Sequence, residues 1–269
     1  MIYRTLRGLG VAPAPGRAIQ VTRSGVRWNL DLGEGIDFSI YLLGAFERST
    51  AAALRRLAHP GDVVLDIGAN VGAHTLHLAR TVSDTGHVFA FEATDFAFAK
   101  LKQNLALNPE LEHRVTATQV ILVDDPRAQQ PSEIYASWPL ETVKDSHPKH
   151  LGRLASTSHA TMSRLDDLAG SLGIHRVDLI KIDVDGHEYP VLKGASNLIT
   201  TCSPKIVMEL QPYAHVEQGY SFEAFLDLLR SWGYSLSDLD RQKPVPLDAA
   251  QLNTIIPDGA SMNVIASIA

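Results

Sequence analysis

The feature that most constrains the fold of this chain is the alternation of short apolar runs with helical patterns after Gly61. Residues 62–67 form a run rich in Val and Ile, as expected of a strand buried on both faces of a parallel sheet. The same reasoning predicts strands at 62–67, 87–91, 115–123, 177–182, 205–210, 234–239 and 262–268, and helices at 73–82, 95–107, 165–172, 190–199 and 222–232. Repeated strand–helix–strand units predict an α/β fold, with a mostly parallel sheet covered by helices on both faces.

Two segments depart from this alternation. The long loop between the last two predicted strands has no clear helical pattern, so these strands are candidates for an antiparallel hairpin at the sheet edge. Residues 124–150 contain four prolines and little periodicity. So long an irregular stretch inside a compact domain is typical of a lid or a binding loop. We therefore expect residues 124–150 to cover a bound ligand and to shape a second pocket.

Chain length and the N-terminal pattern indicate the domain organisation. A chain of 269 residues suits one domain of about 200–250 residues with a smaller addition. Near the N-terminus two short strands are predicted around Ser24-Gly25, followed by helices at 36–43 and 49–57. We expect residues 1–60 to form an extension that covers the ligand, and residues 61–269 to form the ligand-binding domain.

Composition excludes several classes of partner. The formal net charge is −6 and the sequence has no dense Lys/Arg run, so nothing favours a nucleic-acid partner. The one cysteine, Cys202, excludes an internal disulfide and a cysteine-based zinc site. The sequence shows neither a signal-peptide pattern nor an apolar run of membrane-spanning length, so we expect a cytoplasmic protein without a membrane partner.

The most informative segment is the glycine loop Asp66-Ile-Gly-Ala-Asn-Val-Gly72, which follows the first strand of the predicted parallel sheet. Ligands of doubly wound folds bind at such strand ends, and Gly68 and Gly72 allow close approach of a ligand to the backbone. Asn70 tolerates a left-handed backbone but replaces the middle glycine that a pyrophosphate requires.

The acids beside this loop indicate the kind of ligand. The carboxylate of Asp66 repels a pyrophosphate but suits a cationic ammonium group, such as the one in the methionine part of S-adenosylmethionine. Glu92 ends the next predicted strand, where an acid in nucleotide-binding folds accepts hydrogen bonds from ribose hydroxyls. The sequence therefore predicts an S-adenosylmethionine site at this edge of the sheet.

The glycine loop also resembles the first motif of the FkbM-type methyltransferases. A second resemblance is Val177-Asp-Leu-Ile-Lys-Ile-Asp-Val-Asp-Gly-His-Glu188 followed by Val191-Leu-Lys-Gly-Ala195, in which Asp185 stands where the family usually has Glu. Gly44-Ala-Phe-Glu47 and Leu165-Asp166 match two shorter family patterns, whereas Ala93-Thr94 replaces the proline usual after Glu92.

This resemblance implies a fold and a reaction. The implied fold is the Rossmann-like class I methyltransferase fold with seven strands in the order 3-2-1-4-5-7-6. The implied reaction is methyl transfer from S-adenosylmethionine, which leaves S-adenosylhomocysteine, usually to a hydroxyl oxygen of a natural product, sugar or lipid.

Candidate site residues follow from the motifs. Those expected to bind the cofactor are Glu47, Asp66, Gly68, Asn70, Gly72, Glu92 and Asp124. Methyl transfer to a hydroxyl requires a base that removes its proton, and Asp183, His187 and Glu188 lie close together after the fourth strand. The reference pKa of imidazole, about 6.5, suits that role, but either carboxylate can also take the proton. The choice of base stays open.

Three alternatives accompany this interpretation. Asp183 together with Glu209 at the end of the fifth strand offers oxygen ligands for Mg²⁺, although that strand lacks the paired acids that would favour a metal. An NAD-dependent oxidoreductase shares the fold, but its glycine loop would not begin with an acid such as Asp66. A catalytically silent protein that binds S-adenosylmethionine is the remaining alternative.

Overall fold

The computed structural model describes residues 16–140, 147, 149 and 152–268. The strands in these ranges are β1 Ala18–Arg23, β2 Val26–Asp31, β3 Val63–Ile67, β4 His87–Glu92, β5 Val115–Leu122, β6 Glu133–Ser137, β7 Arg153–Ser156, β8 Thr161–Ser163, β9 Leu179–Ile182, β10 Lys205–Leu210, β11 Ser235–Asp238, β12 Pro244–Val245 and β13 Met262–Ser267. The helices are α1 Gly35–Leu43, α2 Arg48–Leu57, α3 Thr75–Val82, α4 Asp95–Ala106, α5 Pro109–Glu112, α6 Leu165–Leu172, α7 Glu188–Lys193, α8 Ser196–Cys202, α9 Pro212–Glu217, α10 Phe222–Ser231 and α11 Ala249–Ile255.

The central sheet within the described residues has nine strands in the order β12-β11-β13-β10-β9-β3-β4-β5-β8. Seven of them, from β5 to β11 in that order, reproduce the predicted order 3-2-1-4-5-7-6, which is therefore confirmed. Strand β13 runs antiparallel to both β10 and β11, while β3, β4, β5, β9 and β10 are parallel. The short strands β8 and β12 extend the two edges beyond the expected seven.

Side-chain alternation along the central strands produces a core on each face of the sheet. Leu65 and Ile180 belong to one buried apolar cluster, whereas their neighbours Val64 and Leu179 belong to the other. The second cluster also contains Trp28 of β2 and residues of α1 and α2. The predicted N-terminal hairpin and two helices are thus present, and they pack on one face of the sheet.

Helix α4 and the turn that follows it fix the position of the N-terminal hairpin through Asn104 and Asn108. The backbone N–H of Asn29 donates to Oδ1 of Asn104 over 2.8 Å, and that of Arg27 donates to Oδ1 of Asn108 over 2.9 Å. The side-chain amide of Asn108 donates in return to the Arg27 carbonyl over 2.7 Å. These side chains satisfy backbone groups along the open edge of β2, which would otherwise lack partners.

The predicted helix at 190–199 is wrong as a single element. The structure divides the segment into α7 and α8 because Gly194 lies against the chain after β5, where a Cβ would be 2.2 Å from the Val123 carbonyl oxygen. The Asp166 carboxylate then accepts hydrogen bonds from the backbone N–H groups of Asn197 and Leu198 at the start of α8. The Leu165-Asp166 and Gly194 motifs therefore shape the fold.

Two predicted loops contain regular structure. Helix α11 and strand β12 lie between β11 and β13, which remain antiparallel neighbours as expected. The segment at 124–150 contains β6, which pairs with β7 from the following segment. Pairing with a distant strand supplies the backbone partners that no local pattern indicates. Residues 141–146, 148 and 150 of this segment lie outside the described residues.

Candidate active site

Four parallel strands bring the two sequence motifs together at one edge of the sheet. Ile67 at the end of β3 is in register with Phe91 of β4 and with Ile182 of β9, and Met208 of β10 is in register with Ile182. The residues that follow these positions therefore line a common edge, as is usual for ligand sites in open α/β sheets.

The glycine loop packs directly on the second motif. Gly68 has φ +74°, and a Cβ there would lie 1.9 Å from the Asp183 carbonyl oxygen. Gly72 has φ +89°, and its Cβ would lie 2.8 Å from a methyl group of Leu101. Asn70 adopts φ +48°, as its residue type predicted. Gly68 is therefore required for packing against the second motif, whereas Gly72 is favoured by its left-handed backbone.

Glu92 lies at the centre of the predicted cofactor edge. It is buried, and it accepts hydrogen bonds from the Asn70 N–H over 2.9 Å and from the N–H and hydroxyl of Thr94 over 2.8 and 2.7 Å. Burial raises the pKa of Glu92, and these donors offset only part of the effect. Thr94 thus supplies two donors close to where the family usually has a proline.

Asp66 turns towards the protein interior. Its side chain is fully buried, accepts a hydrogen bond from the Thr75 hydroxyl over 2.6 Å and lies 3.4 Å from Nζ of Lys181. Both carboxylate oxygens therefore face protein groups, so an effect of Asp66 on a bound cofactor would pass through the loop that it anchors. This geometry differs from the direct ammonium contact that the sequence suggested.

Lys181 is a buried cation that the sequence interpretation missed. Its Nζ donates to the carbonyl oxygens of Gly68 and Ile67 over 2.7 and 3.3 Å and lies 3.9 Å from Asp183. Burial lowers the pKa of Lys181, but the nearby carboxylates, Asp66 foremost, outweigh burial and hold that pKa above its usual value. The sequence feature that could have predicted this buried cation is a lysine within the apolar pattern of strand β9.

Two further predicted cofactor residues lie on either side of this edge. Glu47 precedes α2 with φ +41°, and burial together with the charge of Asp183 raises its pKa. Asp124 follows β5 and forms an ion pair with Lys193 of α7 at 2.7 Å. Their contacts with a cofactor stay predictions.

The three candidate bases have different surroundings. The Asp183 side chain is 30% exposed, whereas that of Glu188 is 2% exposed. Burial by the surrounding protein raises the pKa of Asp183, and Glu188 and Asp66 add to the increase. Burial lowers the pKa of His187, whose Nδ1 lies 3.3 Å from the Val184 carbonyl.

Glu188 is held inside the protein by two partners. Its Oε1 accepts a hydrogen bond from the Val184 N–H over 3.1 Å, and its Oε2 lies 3.3 Å from Nε2 of His215. Burial raises its pKa, but the nearby imidazole of His215 and the backbone N–H groups of the turn outweigh burial and lower the pKa overall. The contact between His215 and Glu188 is one that the sequence did not predict.

Two more carboxyl groups complete the edge. Asp185 has φ +50°, and burial next to Asp183 raises its pKa well above the usual value. Burial and the charge of Asp183 raise the pKa of Glu209 to about 8, and the Gln211 side chain donates a hydrogen bond to it. In the part of the chain that the structure describes, no group of three or more His, Cys, Asp or Glu side chains is arranged to hold a metal ion.

The hairpin of β6 and β7 contacts both predicted cofactor loops. The Asn70 side-chain amide donates to the Ala136 carbonyl over 3.2 Å. On the other side, the hydroxyls of Ser156 and Ser158 donate to Asp95, at the start of α4, over 2.6 and 2.9 Å. The segment predicted as a lid thus contacts the loop after β3 through Ala136, while the contacts with Asp95 after β4 come from residues beyond that segment.

Similarity to known proteins agrees with this arrangement. Residues 66–236, which include both motifs, match the family model described as the methyltransferase FkbM domain. The chain belongs to the FkbM methyltransferase family. It is accordingly a methyltransferase that depends on S-adenosylmethionine.

Individual relatives are distant. Methyltransferase 1 of Beauveria bassiana is 25% identical over 193 residues, which cover 65% of this chain and 72% of that protein. The hexuronic acid methyltransferase AglP of Haloferax volcanii is 27% identical over 165 residues, which cover 60% of this chain and 61% of AglP.

Among solved structures, an S-adenosylmethionine-dependent O-methyltransferase from Thermotoga maritima is 14% identical, with a TM-score of 0.43 over 97% of this chain and 81% of the other. None of the helices among residues 16–140 and 152–268 is long and apolar enough to cross a membrane.

Proposed function

We propose that this FkbM-family enzyme transfers the methyl group of S-adenosylmethionine to a hydroxyl oxygen of a small molecule, a sugar or a natural product. The observation that supports an oxygen acceptor is the part-exposed Asp183 carboxyl, which stands at the sheet edge beside the glycine loop. A hydroxyl is a poor nucleophile until a positioned base removes its proton, a contribution of about 10²- to 10⁴-fold.

The acidic side chains at this edge of the sheet suit the hydroxyl groups and the positive charge of the cofactor. S-adenosylmethionine, when bound, supplies an electrophilic methyl group on a cationic sulfonium. We expect Glu92 to accept hydrogen bonds from ribose hydroxyls, and the carboxyl groups of Glu47 and Asp183 to lie near the cation. Gly68, Asn70, Gly72 and Asp124 are the other residues proposed to hold it, and Asp66 anchors the loop.

Asp183 is the preferred base among the three candidates. Its carboxyl reaches the exposed edge, and its raised pKa brings it closer to the range in which a base works efficiently. Glu188 is enclosed by Val184 and His215, so it orients the turn instead of taking the substrate proton. His187 is the second candidate. We propose no metal step, and Mg²⁺ at Asp183 and Glu209 stays the less favoured alternative.

The cofactor part of the proposal is tested by calorimetry with S-adenosylhomocysteine. Replacing Glu92 by Gln should weaken binding by about 10- to 100-fold, because a charge-assisted hydrogen bond contributes about 1.5–3 kcal/mol. Glu112→Gln, at an exposed position on α5, is the matched control and should bind like the wild type. Equal affinity in both variants would place the ribose site elsewhere.

The acceptor part is tested with methyl-labelled S-adenosylmethionine. A panel should include glucuronic acid, neutral sugars, aliphatic alcohols and phenols, together with amines of similar size. Label on a hydroxyl oxygen, reduced strongly by Asp183→Asn, supports the proposal. Label on nitrogen or carbon contradicts O-methylation, and cofactor binding without any transfer to the panel favours a catalytically silent protein.

A further inference from the structure

Helix α9 lies directly against the turn that carries the candidate bases. Gly186 in this turn has φ +93°, and a Cβ there would lie 2.7 Å from the carbonyl carbon and oxygen of Ala214 in α9. Only glycine combines this backbone conformation with so close an approach. The turn and the helix therefore touch backbone to backbone, although Gly186 and Ala214 are 28 positions apart in the sequence.

The next residue of α9, His215, reaches beneath the turn. It is fully buried, and its Nε2 lies 3.3 Å from Oε2 of Glu188. Its ring packs against Phe222 and Phe225, with centroid separations of 5.3 and 4.7 Å. Neither Nδ1 nor Nε2 makes a hydrogen bond of good geometry among the described residues, so the 3.3 Å approach to Glu188 is a polar contact at ion-pair distance. Aromatic packing thus fixes the ring and leaves Glu188 as its polar contact.

The second carboxylate oxygen of Glu188 contacts the backbone of the turn. While Oε2 faces His215, Oε1 accepts the Val184 N–H over 3.1 Å. Val184 directly follows Asp183, the candidate base. A continuous series of contacts therefore leads from the aromatic pocket of His215, through the Glu188 carboxylate, to the peptide group next to the exposed Asp183 carboxyl.

We propose that His215 is a positioning residue for methyl transfer. It holds the Glu188 carboxylate in the orientation that binds the Val184 N–H, and so fixes the direction in which Asp183 meets the acceptor hydroxyl. The inference rests on the proposed function in taking Asp183 as the base. Misplacing a reacting group by about 1 Å can cost about 10²-fold in rate, so this indirect role has a measurable effect.

Two substitutions at position 215 separate positioning from packing. His215→Phe keeps an aromatic ring against Phe222 and Phe225 but leaves Glu188 Oε2 without its polar contact. His215→Gln keeps an N–H donor on a side chain of similar reach. Thermal unfolding and far-UV circular dichroism establish that each variant is folded. If His215→Phe does not fold, Glu188→Gln removes the same charged contact from the other side.

The first readout is amide hydrogen exchange of Val184, measured by NMR in the complex with S-adenosylhomocysteine. We expect exchange to become at least 10-fold faster in His215→Phe and to return to within about threefold of wild type in His215→Gln. Calorimetric affinity for S-adenosylhomocysteine should stay within about twofold in both variants, because Glu92 and the glycine loop do not contact His215.

The second readout is turnover with glucuronic acid or another panel compound that accepts the label. We expect kcat to fall about 10- to 100-fold in His215→Phe with little change in KM, and to recover in His215→Gln. The proposal is overturned if Val184 exchange is unchanged in His215→Phe, or if His215→Gln behaves like His215→Phe. Failure of the proposed function is a different result, because the wild type itself would then either not bind S-adenosylhomocysteine or not place the label on a hydroxyl oxygen.

Discussion

Replacement of Lys181 by Met is the sharpest test of how the centre of this sheet is held together. Lys181 and Asp66 are cross-strand partners on β9 and β3, and their side chains are 4% and 0% exposed. Met preserves most of the apolar stem but leaves the Asp66 carboxylate buried with only the Thr75 hydroxyl as a partner. Removing one member of a buried ion pair costs about 3–5 kcal/mol, because an uncompensated charge remains.

The expected loss of stability is large enough to measure directly. For a domain of this size, each kcal/mol shifts Tm by about 2–4 °C, so Lys181→Met should lower Tm by about 6–20 °C. The double variant Asp66→Asn with Lys181→Met removes the buried charge and should recover part of that loss in a double-mutant cycle. Lys205→Met, at an exposed position of β10, is the matched control.

The reasoning fails if the free energy of unfolding of Lys181→Met, measured in urea, lies within about 1 kcal/mol of the wild-type value. A difference of that size is common for substitutions that break no special interaction. It also fails if the double variant is simply additive, since that would mean that the two side chains do not interact.

Two further predictions concern the edge of the sheet. Asn70→Gly keeps the left-handed backbone and the N–H that binds Glu92 but loses the contact with Ala136, so affinity for S-adenosylhomocysteine should change by less than about threefold. Amide hydrogen exchange in β6 should become faster. Unchanged exchange would contradict the inference that the hydrogen bond between Asn70 and Ala136 stabilises β6. For Glu209, burial and the charge of Asp183 raise the folded-state pKa from 4.5 to about 8. The unfolded chain then releases a proton that the folded protein keeps, so this group lowers stability by roughly 1.4 kcal/mol per pH unit between those values. Glu209→Gln should therefore gain stability relative to wild type as the pH rises in urea unfolding, and a constant difference between the two would refute this assignment.

The strand order and the position of the site followed from the sequence because they depend on local patterns. The Val- and Ile-rich run before Asp66 and the glycines after it are visible within a few residues. The contact of Lys181 with Asp66 depends on the register of two strands that lie 115 residues apart in sequence. The apolar pattern predicts each strand but not the residue that faces Asp66.

The parts that the sequence did not predict depend on tertiary contacts. Gly194 interrupts a helical pattern because the Val123 carbonyl occupies the space of a side chain. His215 pairs with Glu188 across 27 positions of the chain, and nothing around His215 in the sequence indicates a carboxylate partner. Each of these features arises only after the sheet has brought distant segments together.

Two asparagines bind the open edge of β2 from α4 and from the turn that follows it. Asn104 lies in α4 and Asn108 directly precedes α5, while their partners Asn29 and Arg27 are two residues apart, about 6.6 Å along a strand. Because the backbone N–H groups of a strand point alternately to its two edges, a one-residue slip of the hairpin would lose all three hydrogen bonds together. Asn104 and Asn108 thus set the register of the hairpin, and with it the point from which the chain runs through α1 to Glu47.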